Sequence, residues 1–299
     1  MVPKPLMTMA DGVGTPTRIT HLYLDTQQWN YLVERKDMTP EELSALQGTL
    51  VAEVKAGRLA VVSSLPLFEE IAGTAHRNAP KYDLMRSLLF EATEHRWLLP
   101  LNERYPREAR AGGKLPESAR YLNRKIRREY EQASRNKATV AKVSDNTYRQ
   151  TLQFKNDQEA IRQSLKTRPD LLGPDGEWDP GKVDEWWSSV DVDDWTADAV
   201  SEGLPPRWAV GAGGFRADIP SAWLFTAFKL ARMKRNLGEG RKISASDYID
   251  AEHCGAGPYF DVLVTDDVEF RATCELLPWR PFKIEGITEL RARLGSTAR

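Results

Sequence analysis

The sequence predicts an α/β fold built on a parallel sheet, and three observations carry that expectation. Two short runs rich in β-formers near the start, Ile19 to Asp25 (ITHLYLD) and Leu59 to Ser64 (LAVVSS), each lead into a segment of helical spacing. A third run of fully buried type, Phe260 to Asp267 (FDVLVTDD), does the same near the other end. Strands alternating with helices at both ends call for a sheet covered on both faces.

Taken in order, Asp25 closes the first strand and stands before TQQWNYLVER, a helix. Thr39-Pro40-Glu41-Glu42 has the pattern of an N-cap followed by proline at the first helical position, and that helix runs to about Ala56 with Gly57 closing it. Leu59 to Ser64 is the second strand, and Ser64 is placed to cap LPLFEEIAGTA. Lys81 to His95 is amphipathic, and Trp97 to Leu101 reads as a short strand or extended edge stopped by Pro100.

Between Glu117 and Lys166 the pattern is helical and basic, with Arg124, Lys125, Arg127 and Arg128 in one run and Tyr121, Tyr130 and Tyr148 interleaved. From Asp170 to Glu202 the balance reverses, and Lys182 is the lone base. The region Pro169 to Arg216 holds Trp178, Trp186, Trp187, Trp195 and Trp208 among Pro, Gly and Asp, which predicts short helices, long connections and a hydrophobic knot. Regular structure returns with a helix from Pro220 to about Arg235, then a helix capped by Ser244 to Asp247, the Phe260 to Asp267 strand, the helix VEFRATCELL, a strand near Pro281 to Ile284 and a closing helix ITELRARL.

The chain of 299 residues is 41% hydrophobic, enough for a sizeable core without staples, and its net charge of -1 conceals the two opposed segments. Cys254 and Cys274 are the two cysteines, which fits a reducing compartment better than a disulfide framework. No run is long and apolar enough to span a bilayer, so the expectation is a cytoplasmic protein without a membrane partner. Residues 1–17 read as a flexible leader, with Met7 or Met9 as alternative starts. The remaining division is 18–100 with 218–299 as one α/β unit, and 101–217 as a helical, charge-segregated insertion.

Ligand sites of open parallel sheets lie beyond the carboxyl ends of the strands, so acids just after a strand converge however far apart in sequence. Asp25, Asp266 and Asp267 occupy such places, Glu69 and Glu70 sit early in the helix after the second strand, and Asp247 and Asp250 begin the helix before the third. Each has a structural use available: Asp25 and Asp247 as helix caps, Glu69 or Glu70 as a solvated acid, Asp266-Asp267 as turn residues. Their convergence is what points to chemistry. Crowded carboxylates need raised pKa values or a bound cation, and oxygen ligands suit Mg²⁺ or Mn²⁺, which with phosphate suggests metal-assisted phosphodiester cleavage.

The segments HLYLDTQQWNYL, SSLPLFEEIAG and SDYIDAEHCGAGPYFDVLVTDDVEF resemble the corresponding parts of PIN-domain nucleases. The resemblance covers roughly residues 18 to 76 and 218 to 278; residues 100 to 217 depart from the compact members of the family. It implies a PIN-like α/β sandwich with a large helical insertion, and endonucleolytic cleavage of RNA by water at a divalent cation. It also implies catalytic roles for Asp25, Glu69, Asp247 and Asp267, with Glu69 favoured over Glu70 by its spacing to Gly73. Metal ligands would be Asp25, Asp247, Asp266 and Asp267, supported by Asp250, Glu70 and the hydroxyl of Thr265.

A toxin or defence effector in a microbial cell is one setting for such an enzyme, with a homo-oligomer or a regulatory protein as partner. The basic run Arg124, Lys125, Arg127 and Arg128 is the expected RNA-facing surface, although a charge run is commonly just a solvated helix face. His253 lies six residues after Asp247 and is expected away from it, and His253, Cys254 and Cys274 lack zinc-ligand spacing. The alternative is a non-catalytic PIN-like scaffold or nucleic-acid-binding protein, in which the acids are caps and the basic middle does the binding. A phosphatase or other phosphoryl-transfer enzyme is a third class; no GxxxxGK loop is present.

Overall fold

A computed structural model describes residues 19–75, 77–200, 210–244 and 246–297. The leader 1–17 and Trp208 lie outside the described residues. The centre is a four-stranded, all-parallel sheet in the order β2-β1-β3-β4, formed by β1 (Thr20–Leu24), β2 (Leu59–Val62), β3 (Val262–Val264) and β4 (Lys283–Glu285). The α/β parallel architecture is therefore as expected, and the strands fall where the apolar runs placed them. Leu22, Tyr23 and Leu24 are fully buried, as are Val61, Val62, Leu263 and Val264. Burial of each large side chain favours the fold by roughly 1.5–3 kcal/mol before entropy is counted.

Local chemistry sets the helix boundaries. Asp25 caps the helix Thr26–Val33 by accepting from Gln28 N–H at 2.9 Å. Thr39 and Glu42 form a reciprocal capping box at the head of Pro40–Lys55, and Gly57, at φ 70°, supplies the left-handed turn that returns the chain to β2. Ser64 caps Leu65–Gly73 and Asn78 caps Ala79–Thr93. Trp97 and Leu98 make only single bridges, to Ser63 and Tyr121, because Pro100 ends the extension and a helix starts at Leu101.

The middle of the chain is helical, with a 29-residue helix Lys137–Leu165 as its longest element. This helix packs on Leu65–Gly73, and Val192–Val200 packs on the largely buried helix Pro220–Gly238. Ala109, Leu115, Leu122, Val140, Val192, Val200 and Phe215 from the middle join the same hydrophobic cluster as β1, β2 and β3. A satellite cluster of Leu165, Leu171, Val183, Trp186, Met233 and Leu237, with Trp178 and Trp187 against it, gathers three of the tryptophans expected in a knot, whereas Trp195 stands outside it, 38% exposed. Among the described residues, no helix is long and apolar enough to cross a membrane.

The two central strands, β1 and β3, and the carboxyl edge at which they end matter for the site. The β1–β3 pairing brings together parts of the chain 238 positions apart, as the contact of Gln28 with Asp266 illustrates. The ladder also runs past the strand ends: Asp25 N–H donates to Val264 O at 3.1 Å, and Thr265 N–H to Glu285 O at 2.9 Å. Asp25 and Thr265 thus leave the sheet side by side at its carboxyl edge.

Candidate functional site

At that edge lies a polar cavity of about 400 Å³ whose walls include Asp25, Glu70, Asp250, His253, Asp266 and Asp267. Thr265 lies on its floor, buried, and its Oγ1 accepts from Asp267 N–H at 3.0 Å. Asp25 is held by the helix it caps. Burial pushes its carboxyl up to about 6; hydrogen bonds from Thr265 and from Gln28 N–H oppose that, His253 opposes it too, and the charge of Glu70 adds to it.

Glu70 reaches the cavity from the helix Leu65–Gly73, accepting from Thr26 Oγ1 and lying 3.0 Å from His253 Nε2. The other imidazole nitrogen, Nδ1, is 2.8 Å from Tyr23 Oη, which in turn is 2.6 Å from Ser64 Oγ. Ser64, Tyr23, His253 and Glu70 therefore form one hydrogen-bonded chain that starts at the cap after β2 and ends at the cavity. Burial works against a charged His253, yet the hydrogen bond and charge of Glu70, with Asp250 and Asp25 beyond it, hold its pKa above the ordinary value. Burial raises the Tyr23 phenol, keeping it neutral.

Asp250 lies three residues before His253 on the helix Asp247–Gly255, so both face the cavity. It accepts from Arg232 Nη2 at 2.6 Å. Burial nevertheless pushes its carboxyl up to about 7, against the pull of Arg232 and with a further push from Glu70 and Asp267. Asp266 accepts from Gln28 Nε2 at 3.1 Å, and Asp267, exposed, caps Val268–Glu275 by accepting from Phe270 N–H at 2.8 Å.

Two of the expected catalytic residues lie elsewhere. Asp247 is buried and forms no part of the cavity wall. Arg241 holds it through both guanidinium nitrogens at 2.9 and 3.0 Å, Arg232 Nε stands 3.4 Å away, and Ser244 N–H donates to it at 3.0 Å. Ser246, without a side-chain cap bond, precedes the helix that Asp247 begins. Of the adjacent glutamates it is Glu70 that lines the acid cavity. Glu69 contributes to a neighbouring cavity of about 450 Å³ with Tyr105, Tyr248 and Glu252. The basic run is remote as well: Arg124, Lys125 and Arg128 are exposed on Arg124–Ala133, and Arg127 donates to Phe90 O at 2.7 Å while stacking on the Phe90 ring. In the acidic stretch, Asp184 pairs with Lys234 at 2.9 Å, and Asp193 accepts from Trp223 Nε1 and Phe215 N–H.

The sequence did not single out Tyr23, Arg232 or the role of His253. The i, i+3 spacing of Asp250 and His253 was the available signal, obscured by measuring His253 from Asp247 instead. Nothing local pointed to Arg232, whose partners come from a helix after its own.

The polar side chains around the cavity are mostly carboxylates, with the hydroxyls of Thr26, Ser246 and Thr265, the Gln27 amide and the His253 imidazole, and the carboxylates are the hard oxygen donors that suit Mg²⁺ or Mn²⁺. The Asp25 and Asp250 carboxyls, both desolvated and both pushed up further by the charge of Glu70, are what a cation would relieve. Among the described residues, no three His, Cys, Asp or Glu side chains stand close enough to hold an ion in their present positions. Donor type therefore fits a divalent cation, while the ligands would have to draw together around it. A zinc set is not assembled: Cys254 and Cys274 are both buried, and His253 is engaged by Tyr23 and Glu70. Comparison with known proteins gives no match, whether among family models, curated proteins or solved structures.

Proposed function

We propose that the chain is a metal-dependent endoribonuclease of PIN-like type, cleaving RNA phosphodiesters at the acid cavity. The observation that carries this reading is the gathering of Asp25, Glu70, Asp250, Asp266 and Asp267, from both ends of the chain, around one open cavity at the carboxyl edge of the sheet. In this reading Asp25, Asp266 and Asp267 would hold Mg²⁺ or Mn²⁺, with Asp250 beside them. When bound, the ion supplies water activation and neutralisation of phosphate charge.

The chain's own groups perform the rest. Thr265 fixes Asp25 and the start of the Asp267 turn. Glu70, steered by Thr26 and His253, presents a carboxylate to the cavity as the group that orients the attacking water. His253, backed by Tyr23 and Ser64, keeps Glu70 in one orientation and moderates its charge.

A second reading, a non-catalytic nucleic-acid-binding or scaffold protein, draws on the capping bonds made by Asp25 and Asp267. Cleavage of labelled single-stranded RNA, structured RNA and DNA by wild type, Asp25→Asn and Asp267→Asn, with Mn²⁺, Mg²⁺ or EDTA, separates the two. The expected result is metal-dependent RNA cleavage that falls by roughly 1000-fold in each variant while circular dichroism is unchanged. Full activity in either variant removes the proposed site; absence of cleavage with retained RNA binding favours the second reading.

A further inference from the structure

A second concavity, of about 550 Å³, shares Thr26 and Glu70 with the acid cavity and leads away from it across the surface. Its walls are the helix Thr26–Val33, the end of Leu65–Gly73, the turn to Asn78 and one face of Lys137–Leu165. Charge is segregated along it. Glu69 and Glu70 lie at the inner end, while Arg77 and Lys81 lie farther out. Lys81 is tied to Glu34 at 2.7 Å, whereas Arg77 is exposed and makes no ion pair among the described residues. On the opposite wall Tyr148 exposes 65% of its surface. Its ring is therefore open to solvent on the face that lines the trough. Asn30, Asn78, Thr74 and Thr151 supply neutral hydrogen-bonding groups between the two.

We propose that this groove is the track for single-stranded RNA, in which Arg77 binds a backbone phosphate and Tyr148 stacks on a base one or more nucleotides from the acid cavity. The proposal rests on the nuclease reading of that cavity and deepens it by naming where the substrate lies. Three observations carry it: the shared wall of Thr26 and Glu70, an uncommitted guanidinium, and an exposed ring facing the same trough. A guanidinium gives salt-dependent phosphate affinity, and an aromatic face accepts any base, so the groove would favour unpaired strands over duplex. The run Arg124, Lys125, Arg127 and Arg128 contributes to neither concavity.

The test is fluorescence-anisotropy binding of a short labelled single-stranded RNA in EDTA, alongside cleavage in Mn²⁺, for wild type, Arg77→Ala, Tyr148→Ala, Tyr148→Phe and Asp25→Asn. Both groove positions are exposed, so these variants are expected to fold. Arg77→Ala should weaken binding about fivefold or more and reduce the slope of log affinity against log salt by about one. Tyr148→Ala should weaken binding about fivefold or more, Tyr148→Phe should restore it, and an abasic strand should be indifferent to both. Asp25→Asn should bind as wild type does and fail to cleave.

Wild-type affinity in both Arg77→Ala and Tyr148→Ala, in a protein that cleaves RNA, overturns the track and leaves the nuclease reading intact. Loss of binding on replacing Arg124, Lys125 and Arg128 instead places the RNA on that face and also overturns it. Binding through Arg77 and Tyr148 without any cleavage supports the track and sinks the nuclease reading.

Discussion

Asp247 and Asp250 stand one turn apart on the same helix, yet they belong to two differently constructed acidic regions. Around Asp247, charge is answered: Arg241 and Arg232 face it, Glu269 binds Arg241 and Arg235 in turn, and a backbone N–H completes the set. Around Asp250, charge is left over. One guanidinium meets it on one side, while Glu70 and the sheet-edge aspartates face it across the cavity, and its carboxyl is pushed up to about 7 by burial. The first arrangement fixes the approach of the Pro220–Gly238 and Asp247–Gly255 helices. The second stores unneutralised acid in a place reachable from solvent. A buried carboxylate is thus structural or chemical according to the cations packed with it, not according to its position in a motif.

The sharpest way to break this comparison is Asp247→Ala. It removes the buried carboxylate that Arg232 and Arg241 share, leaving Arg232 with Asp250 and Arg241 with Glu269, and urea denaturation should show a loss on the order of 3 kcal/mol; a change below about 1 kcal/mol would mean that the ion network holds nothing. Next comes the glutamate pair. Glu70→Gln should lower the cleavage rate by roughly 100-fold, and Glu69→Gln should stay within about twofold of wild type. Reversal of that order would return the catalytic role to the residue that the spacing to Gly73 favoured.

Metal loading should sharpen the contrast further. At Mn²⁺ about 100-fold above its dissociation constant, thermal unfolding should report about 2.7 kcal/mol of stabilisation. That gain should vanish in Asp25→Asn, and equal stabilisation in both proteins would detach the ion from the cavity. The smallest effect is on pH dependence in metal-free buffer. The Asp25 carboxyl is raised in the fold from 3.8 to about 6, so its favourable contribution is complete below pH 3.8 and is lost as pH rises through about 6. Asp25→Asn keeps a capping oxygen but no charge, and should therefore gain about 1–2 kcal/mol over wild type between pH 4 and pH 8. A difference that stays flat across that range would show Asp25 to be an ordinary solvated cap.

Much of the architecture was legible because its signals are local. The runs of β2 and β3 and the second half of β1 are apolar and buried, as strands covered on both faces must be, and Asp25, Thr39 and Ser64 cap helices where the sequence places them, while Asp267, read as a turn residue, proves to be a cap as well. The carboxyl-edge rule brought Asp25, Asp266 and Asp267 together correctly, since it depends only on strand direction. What failed to show was pairing over distance. Asp247 looks like a helix-start acid until Arg241 and Arg232 are seen on it, and Glu69 and Glu70 are equivalent until Thr26 and His253 choose between them. The role of residues 101–217 was equally opaque. Helical spacing predicted their secondary structure but not that Lys137–Leu165 would lie on Leu65–Gly73 and wall a trough beside the acids.

The strand order has a consequence in time as well as space. β1 can pair with β2 as soon as residue 62 has been made, but β3, which carries Asp266 and Asp267 behind it, is synthesised some 200 residues later and only then adds to the open edge of β1, with β4 following on its far side. At ribosomal rates of roughly 5–20 residues per second, the growing chain spends on the order of 10–40 seconds holding Asp25 and Glu70 without Asp250, Asp266 and Asp267. An enzyme that attacks RNA while still tethered to its own message would be a hazard, and a site split across the sheet's two central strands stays unassembled until the chain has been made past residue 267.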